Sequence, residues 1–371
     1  MKVMTIVGTR PEIIKLSRVI ARLDEVTEHV LVHTGQNHEY ELNQIFFDEM
    51  GLRPPDQFLE VVGSNLAETV GNIIIKSDEV MEAEQPDALL VLGDTNSALS
   101  VLSAKRRHIP IFHMEAGNRC FDQRVPEETN RKIVDHVSDI NMPYTEHARR
   151  YLLAEGLPAD RVIKTGSPQK EVLDFQREAI EASEVVERLG FVPGEYFAAS
   201  IHREENVDDP ARLALLVESL NAVVREYGFP MMLSTHPRTR DRLAGSGLAF
   251  DDKIQALPPL GFPDYVALQK HAFCTISDSG TITEESSLVG FPAITVREAH
   301  ERPEGMDEGV LVMSGLDPVA VSEAVGLARA HFDAAGPPTT PSDYSVDDVS
   351  WKVAKIILSY TDYVNRLVWH K

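Results

Sequence analysis

The chain has 371 residues, of which 43% are hydrophobic and 25% charged, and its 36 basic and 58 acidic side chains give a formal net charge of −22 at pH 7. Because single hydrophobic cores stop growing at roughly 250–300 residues, this length predicts two domains. The acidic excess excludes binding of nucleic acid or an anionic membrane across the whole surface, since both are polyanions. An anionic ligand would need a site that concentrates the few basic side chains.

Cysteine content and hydropathy indicate the compartment. Cys120 and Cys274 are too few for a disulfide framework, and neither belongs to a C-x-x-C pair that would hold zinc. The N-terminal sequence lacks the long apolar run and the cleavage site of a signal peptide, and no window approaches the roughly 18 apolar residues that span a bilayer. We therefore expect a cytoplasmic protein without a membrane partner.

Short β-branched runs alternate with amphipathic stretches in the first half, which is typical of a mainly parallel sheet covered by helices. Apolar residues recur at spacings of three and four from Ile13 to Leu23 and predict one buried helix face. A charged helix is predicted over Gln169–Leu189, ending at Gly190. The predicted strands are Val3–Val7, His29–His33, Ala88–Leu92, Ile109–His113, Ile140–Pro143 and Val162–Lys164.

The second half repeats the alternation and ends in a helix whose apolar stripe runs from Val353 to Leu367. The predicted fold class is α/β, with two doubly wound, Rossmann-like domains facing a central cleft, one over 1–168 and the other over 190–335. The predicted strands of the second half are Phe197–Ile201, Met231–Ser234, Ile254–Leu257, Phe273–Ile276, Ala293–Val296 and Val310–Met313.

Candidate functional residues follow the predicted strands, because ligands of open α/β sheets bind at the carboxyl ends of the strands. Ordinary turn and cap chemistry also explains each position taken alone. However, acids and bases follow nearly every strand in both halves, and a generic α/β protein needs no such convergence. These residues include Arg10, Asp94 and Glu115 in the first half and His202, His236, Arg238, Ser279, Gly280 and Arg302 in the second.

A phosphate site is predicted at the Ser-Gly-Thr run 279–281, where a helix begins after an apolar strand and backbone N–H groups can meet an anion. Arg10 and Lys15 from the first half are candidates for the counter-charge. Glu285, further along the helix, suits a ribose diol because a carboxylate accepts hydrogen bonds from two hydroxyls. Its alternative interpretation is a solvated helix charge.

Three carboxylates, Asp94, Glu115 and Glu127, are candidate acid and base groups. Asp94 and Glu115 end successive strands, while Glu127 begins a helix and is also explained as a favourable charge in its first turn. Arg131, four residues later, can pair with Glu127 on one helix face. The sequence has no G-x-G-x-x-G after a strand, no P-loop and no G-x-S-x-G, and we predict neither a metal site nor a bound cofactor.

Nine motifs occur in order along the chain: GTRPEIIK (8–15), HTGQNHEY (33–40), GDTNS (93–97), HMEAGNR (113–119), VPEETNRK (125–132), HREEN (202–206), STHPR (234–238), SDSGTITEESSLVGFP (277–292) and ERPE (301–304). They resemble those of the non-hydrolysing UDP-N-acetylglucosamine 2-epimerases. Within that family the chain is most similar to the UDP-N-acetyl-L-fucosamine synthase branch (UDP-2-acetamido-2,6-dideoxy-L-talose 2-epimerases), through GTRPEII, HTGQN, LNQIFFDE (42–49), NRCFDQ (118–123) and KTGSP (164–168).

The resemblance implies a GT-B fold in which the helix 346–371 returns to the N-terminal domain. It implies that UDP is bound mainly by the C-terminal domain, that the acids and bases lie in the N-terminal domain, and that the enzyme is a homodimer serving capsule or O-antigen synthesis. The chain departs from the family at two places. It has Ser-Gly-Thr at 279–281, with Thr281 in the position of the second glycine of the usual Ser-Gly-Gly. Loop 36–44 also differs from the family pattern that binds an activating substrate molecule. By the resemblance, the diphosphate would be bound by Arg10, Lys15, Ser279 and Gly280, and the ribose by Glu285. The residues that would surround the sugar and the leaving group are Asp94, Glu115, Glu127, Arg131 and His202. Further substrate-binding positions are matched by His236, Arg238 and Arg302.

The implied reaction inverts C2 of a UDP-N-acetylhexosamine. The C2 proton is not next to a carbonyl and no nicotinamide fingerprint is present, so elimination of UDP to a 2-acetamidoglycal, followed by re-addition, is favoured. We expect UDP-N-acetyl-L-fucosamine as product, with conversion of UDP-N-acetylglucosamine to UDP-N-acetylmannosamine as the alternative. A GT-B glycosyltransferase, a non-catalytic UDP-sugar sensor and a hydrolytic relative are rival hypotheses.

Overall fold

The structure is a computed structural model that describes residues 1–35, 46–235, 237–299 and 301–371. The chain separates into two compact units. The N-terminal unit comprises Met1–Phe175 together with Ser342–Lys371, and the C-terminal unit comprises Gln176–Pro341. None of the helices formed by the described residues is long and apolar enough to cross a membrane.

The N-terminal unit is built on a parallel sheet with the strand order β3-β2-β1-β4-β5-β6. This is the order of a doubly wound dinucleotide-binding sheet, and its direction of winding reverses between β1 and β4. In the register of that pair, Val3 faces Ala88 and Thr5 faces Leu90. The strands are β1 Lys2–Val7, β2 Glu28–His33, β3 Gln57–Phe58, β4 Ala88–Leu92, β5 Ile111–Met114 and β6 Ile140–Met142.

Five of the six strands predicted for this half are confirmed, with small shifts at their ends. The sixth, Val162–Lys164, is wrong: only Val162 forms a bridge, with Asn141. The sixth strand is instead the short β3, which pairs with β2 at the opposite edge of the sheet. The helices of this unit include Arg10–Val26, Leu66–Glu84, Val101–Arg106, Pro126–Val137, Glu146–Ala154, Gln169–Phe175 and Val349–Leu367, with 3-10 turns at Asn96–Ser100 and Ala159–Arg161.

The first and the last helix of the chain pack against each other. The predicted face of the first helix is confirmed, because every apolar side chain of the series from Ile13 to Leu23 is buried. On the last helix Val353 is buried as predicted, whereas Leu367 is 50% exposed. The guanidinium of Arg22 lies 3.9 Å from the ring centroid of Trp351, a cation–π contact that joins the two helices.

The C-terminal unit repeats the architecture with a second parallel sheet of strand order β12-β11-β10-β7-β8-β9. Counted from β7, this is the same doubly wound order, and the reversal lies between β7 and β10. The strands confirm the six predicted ones; they are β7 Phe197–Ser200, β8 Met231–Ser234, β9 Ile254–Leu257, β10 Cys274–Ser277, β11 Ala293–Thr295 and β12 Val312–Met313.

The predicted helix Gln169–Leu189 is wrong as a continuous element: it forms three short helices, and the division between the two units falls after the first. Ser183 interrupts the series because its hydroxyl accepts the Val185 N–H at 3.3 Å and donates to Asp264 at 2.6 Å. The helices of the C-terminal unit are Arg177–Glu181, Val185–Arg188, Glu204–Val207, Pro210–Tyr227, Pro237–Ser246, Phe262–Lys270, Ile282–Glu285, Pro303–Asp307 and Pro318–Ala335, with one π-turn at Ser286–Gly290.

Candidate active site

The reversal point of the first sheet brings the predicted residues of the N-terminal unit to one edge. β1 pairs with β4 and β4 with β5, all in parallel, so the segments that follow these strands are neighbours. Those segments carry Arg10, Asp94 and Glu115. In an open α/β sheet this is the position at which ligands bind.

Lys15 and Glu115 form a nearly buried ion pair at this edge. The Lys15 Nζ lies 2.6 Å from Glu115 Oε2, and 8% and 12% of the two side chains are exposed. Asn118 Nδ2 donates to the other carboxylate oxygen at 3.2 Å. Glu115 has φ +61°, a left-handed conformation that costs energy outside glycine. The carboxylate is therefore held against the lysine by a backbone conformation that is energetically unfavourable for a residue other than glycine.

Arg131 links two carboxylates. Its Nε donates to Asp94 Oδ2 at 2.7 Å and its Nη2 lies 2.7 Å from the same oxygen, while its Nη1 donates to Glu128 Oε2 at 3.0 Å. Arg131 is 3% exposed and Glu128 is 1% exposed, whereas 26% of the Asp94 side chain is exposed. Asp94 Oδ1 has no hydrogen-bond partner among the described residues. Arg131 thus fixes one oxygen of the Asp94 carboxylate.

The other two predicted residues of this unit lie next to these pairs. Glu127 is half-buried and directly precedes Glu128 in the helix Pro126–Val137. Arg10 begins the helix that carries Lys15, and its guanidinium lies 4.3 Å from the centroid of the Phe46 ring. The structure therefore gathers Arg10, Lys15, Asp94, Glu115 and Arg131 at one sheet edge, with Glu127 beside them.

Glu12 joins the two loops that flank the reversal point. Its Oε2 accepts the Gly8 N–H at 3.0 Å and the Thr9 hydroxyl at 2.8 Å, and its Oε1 accepts the Ser97 hydroxyl. The side chain is 1% exposed, and burial raises the pKa of this carboxyl from 4.5 to about 7, although the hydrogen bonds from Ser97, Thr9 and Gly8 act in the opposite direction. Glu12 therefore fixes the loop of Arg10 relative to the segment that follows Asp94.

A buried polar cluster supports Glu115 from behind. Asp135 is fully buried; it accepts the Gly117 N–H at 3.1 Å and Arg119 Nη1 at 2.7 Å, and one of its oxygens lies 3.0 Å from His113 Nδ1. Burial opposes the charge on Arg119, but its contacts with Glu155 and Asp135 outweigh that cost and raise the pKa of the guanidinium. This cluster holds the turn that follows β5 in place.

Asp278 organises the matching edge of the C-terminal unit. It is fully buried at the end of β10 and accepts the backbone N–H groups of His202, at 3.1 Å, and Arg203, at 2.9 Å, together with Asn206 Nδ2 at 3.1 Å. His202 Nδ1 lies 3.3 Å from the same carboxylate, and 44% of the His202 side chain is exposed. The imidazole is thereby oriented on one side and accessible on the other.

The Ser-Gly-Thr run lies beside His202, because β7 and β10 are paired. Gly280 is not required by the unit itself: its φ is not left-handed, and a Cβ there would meet its nearest neighbours, Glu301 Oε2 and Arg203 Nη2, at the ordinary contact distances of 3.5 and 3.8 Å. A glycine at this position leaves the backbone accessible to the close approach of a ligand. Ser279 and Gly280 are half-buried, and Glu285, which lies about one helical turn beyond the last residue of the run, is 9% exposed.

Arg302 is buried in the same unit, and its Nη2 lies 3.0 Å from Glu284 Oε1. His236 lies outside the described residues, as does the predicted loop difference at 36–44. The backbone of Arg238 belongs to the helix Pro237–Ser246, and its side chain lies outside the described part of the structure. Among the described residues, no group of three His, Cys, Asp or Glu side chains could hold a metal ion.

Sequence reasoning missed Glu12, Glu128 and Asp278. Glu128 precedes Arg131 by three residues, a spacing that supports an ion pair as well as the spacing of Glu127 does. Asp278 directly follows an apolar strand, which is a signal for a carboxylate that binds backbone N–H groups of a neighbouring loop. Glu12 had no distinguishing signal, because an acid in the first turn of a helix is common.

Comparison with known proteins indicates one family over most of the chain. The family described as UDP-N-acetylglucosamine 2-epimerase matches residues 21–358. A Methanocaldococcus jannaschii protein named UDP-N-acetylglucosamine 2-epimerase is 34% identical over 340 residues, covering 88% of this chain and 92% of its own length. A Pseudomonas aeruginosa protein named UDP-2,3-diacetamido-2,3-dideoxy-D-glucuronate 2-epimerase is 34% identical over 341 residues, covering 90% and 94%.

Solved structures agree with this family. A UDP-N-acetylglucosamine 2-epimerase from Rickettsia bellii superposes with a TM-score of 0.93 at 54% identity, covering 100% of both chains. The M. jannaschii epimerase, solved in complex with UDP-GlcNAc and UDP, has a TM-score of 0.90 at 32% identity and covers 97% of this chain and 100% of its own. A glycosyltransferase from Rickettsia africae, at 13% identity and a TM-score of 0.59, shares the fold alone. The predicted GT-B fold class is confirmed.

Proposed function

Because the chain belongs to the UDP-N-acetylglucosamine 2-epimerase family, we propose that this isomerase inverts C2 of a UDP-N-acetylhexosamine by eliminating and re-adding UDP. The observation that carries the proposal is the pair of cation-bound carboxylates, Asp94 with Arg131 and Glu115 with Lys15, at the reversal point of the first sheet. Acid–base chemistry at a carbon needs such placed carboxylates. We also propose that the enzyme acts as a homodimer in the cytoplasm and serves the synthesis of capsule or O-antigen polysaccharide.

The chemistry of the substrate determines the route. A proton at C2 of a sugar nucleotide is not next to a carbonyl, so its removal alone gives no stabilised anion. If the C1–O bond breaks as the C2–H bond breaks, the electron pair of C2–H forms the C1–C2 double bond and UDP leaves with the C1–O pair. UDP then returns to C1 of the 2-acetamidoglycal while a proton is delivered to the opposite face of C2.

Asp94 is the candidate for the base that removes or returns the C2 proton. Its Oδ2 is fixed by Arg131 and its Oδ1 has no hydrogen-bond partner among the described residues. A second carboxylate must act on the opposite face, and Glu115 and Glu127 are the candidates for that role. Arg10 and Lys15 would stabilise the negative charge that develops on the departing diphosphate.

The C-terminal unit would hold the nucleotide. Ser279 and Gly280 would approach the diphosphate, and Glu285 would accept the ribose hydroxyls. His202, oriented by Asp278 and accessible on its other side, suits a hydrogen bond to the leaving diphosphate. Arg302, together with His236 and Arg238, completes the proposed binding set.

Two substrates fit this chemistry. The stretches LNQIFFDE, NRCFDQ and KTGSP favour UDP-2-acetamido-2,6-dideoxy-L-talose, with UDP-N-acetyl-L-fucosamine as product. The names of the M. jannaschii and R. bellii relatives favour the conversion of UDP-N-acetylglucosamine to UDP-N-acetylmannosamine. Side-by-side assays of the purified enzyme with both UDP-sugars decide between them by the ratio of kcat/KM.

The experiment that tests the reaction class is turnover in deuterated water. We expect one deuterium at C2 of the product, and an unlabelled product would overturn the elimination route. The assay contains a single UDP-sugar, so a glycosyltransferase, which requires an acceptor, would give no product, and a sensor would bind UDP without turnover. A hydrolytic relative would release free sugar and UDP in place of the epimer.

Matched variants test the residues. Asp94→Asn and Glu127→Gln should lose turnover while UDP binding, measured by calorimetry, remains. Asp362→Asn serves as control, because 88% of that side chain is exposed on the last helix and it should retain both properties. Turnover of Glu127→Gln at the wild-type rate would remove Glu127 from the mechanism.

A further inference from the structure

Four side chains in the C-terminal unit form a continuous hydrogen-bonded chain. The Ser279 and Thr281 hydroxyl oxygens are 3.0 Å apart, and Thr281 Oγ1 donates to Glu285 Oε1 at 2.8 Å. Gln269 Nε2, from the helix Phe262–Lys270, donates to Glu285 Oε2 at 2.9 Å. Thr281 and Gln269 thus hold one oxygen each of the Glu285 carboxylate.

The direction of each hydrogen bond in the chain follows from the bond between Thr281 and Glu285. A threonine hydroxyl has a single proton, and Thr281 donates it to Glu285 Oε1. Thr281 Oγ1 can then only accept from the Ser279 hydroxyl, whose own oxygen accepts the Thr281 N–H at 3.3 Å. The carboxylate therefore determines the orientation of the serine hydroxyl through the threonine.

Helix capping does not account for this use of the threonine. Thr281 lies at the N-cap of the helix Ile282–Glu285, but its φ of −78° and ψ of −14° are helical and its side chain makes no capping hydrogen bond. A capping hydroxyl would accept a backbone N–H two or three residues ahead. Here the hydroxyl instead reaches the carboxylate four residues ahead.

We infer that Thr281 is a positioning residue that sets the selectivity for ribose over deoxyribose, by holding the Glu285 carboxylate through the hydroxyl chain from Ser279. This inference rests on the proposed function, in which Glu285 receives the ribose and Ser279 the diphosphate. A carboxylate fixed at both oxygens loses little freedom when hydroxyls bind to it, so its affinity for them is higher.

Selectivity is measured by calorimetry as the ratio of the dissociation constants of 2′-deoxy-UDP and UDP. We expect a ratio of about ten or more for the wild type, as for a hydrogen bond to a charged group. Thr281→Val, which keeps the shape and removes the hydroxyl, should lower this ratio several-fold, and Thr281→Ala should do the same. Thr281→Ser should restore the wild-type ratio.

Thr340→Val is the matched control, because it also removes a hydroxyl, one that donates to the backbone oxygen of Ser287 at 2.7 Å in the same unit. It should leave the ratio unchanged. In turnover, Thr281→Val should raise KM several-fold with kcat within about twofold, since ribose binding is the same in the ground and transition states. General damage to the fold would instead lower the active fraction and leave the ratio of the two dissociation constants unchanged.

The outcomes separate the inference from the function on which it rests. A wild-type protein that binds no UDP would overturn both. A wild type that binds UDP and 2′-deoxy-UDP equally, or a Thr281→Val variant that binds UDP and keeps the wild-type ratio, would overturn the inference and leave the epimerase activity standing.

Discussion

The Lys15 ammonium and the Glu115 carboxylate meet at 2.6 Å with about nine-tenths of each side chain buried, although 100 residues separate them in the chain. Two charges taken out of water recover that cost only from each other and from further hydrogen bonds. The pair therefore joins the first helix to the turn after β5, and its integrity affects stability as well as catalysis.

Removing one partner of this pair should be more costly than removing both. We expect Lys15→Met to lower the free energy of unfolding by about 3–5 kcal/mol, because it leaves a buried carboxylate without its cation. The double variant Lys15→Met/Glu115→Leu should regain much of that loss and stay inactive. Urea unfolding of the two single variants and the double variant measures the coupling, and strictly additive losses would contradict it.

Arg131 should be essential for turnover because it fixes Asp94 and also pairs with the buried Glu128. We expect Arg131→Ala to lower kcat/KM by about a hundredfold or more. Arg124→Ala is the control: 75% of that side chain is exposed, and its partner Asp122 lies two residues away in the same loop. Equal effects in steady-state assays of the two variants would show that Arg131 has no special role.

Glu12 should make stability depend on pH in a defined window. The buried carboxyl has its pKa raised from 4.5 to about 7, so the folded protein holds this proton more tightly than the unfolded chain does. The resulting stabilisation is complete below pH 4.5 and is lost as the pH rises through 7. This amounts to about 3 kcal/mol.

The neutral variant Glu12→Gln lacks this titration and so isolates it. We expect the stability of the wild type minus that of Glu12→Gln, from urea unfolding, to fall by about 3 kcal/mol between pH 4.5 and 8. Contributions from other groups cancel in this difference. A difference that stays constant with pH would mean that the Glu12 carboxyl titrates alike in the folded and unfolded states.

Two glycines of the N-terminal unit should respond to alanine with opposite signs. Gly117 has φ +82°, and a Cβ there would lie 2.5 Å from the backbone oxygen of Ala148, so Gly117→Ala should destabilise the protein by about 2 kcal/mol or more. Gly71 lies within the helix Leu66–Glu84 with nothing within 4 Å of an added Cβ, so Gly71→Ala should add about 0.5–1 kcal/mol. Thermal unfolding measures both, and a stabilised Gly117→Ala would show that the turn after β5 is free to move.

The sheets could be predicted from the sequence because their central strands are largely buried on both faces and consist mainly of apolar residues, such as the continuous apolar run Ala88–Leu92. The edge could not. Gln57–Phe58 is too short to show a pattern, while the buried Val162 forms only a single bridge, to Asn141. Length and periodicity do not report such tertiary contacts.

In the candidate site, too, some features could be predicted from the sequence and others could not. Chemical type and place at a strand end were enough to select Asp94, Glu115 and Ser279. Which carboxylate meets a given cation depends on side-chain direction, and Arg131 has Glu128 as a partner three residues before it on the helix. The pairing of Lys15 with Glu115 is a contact across 100 residues, and no local signal reports it.

The last helix also sets the order in which the protein can be completed during synthesis. The C-terminal unit is one continuous segment, Gln176–Pro341, and all of its residues have been made before the final 30 of the chain, residues 342–371. The N-terminal unit, though started first, needs Val349–Leu367 to cover its first helix, where Trp351 meets Arg22. Once the chain has emerged as far as Pro341, the second unit therefore has all of its residues, whereas the first unit still lacks the helix that packs on its first helix.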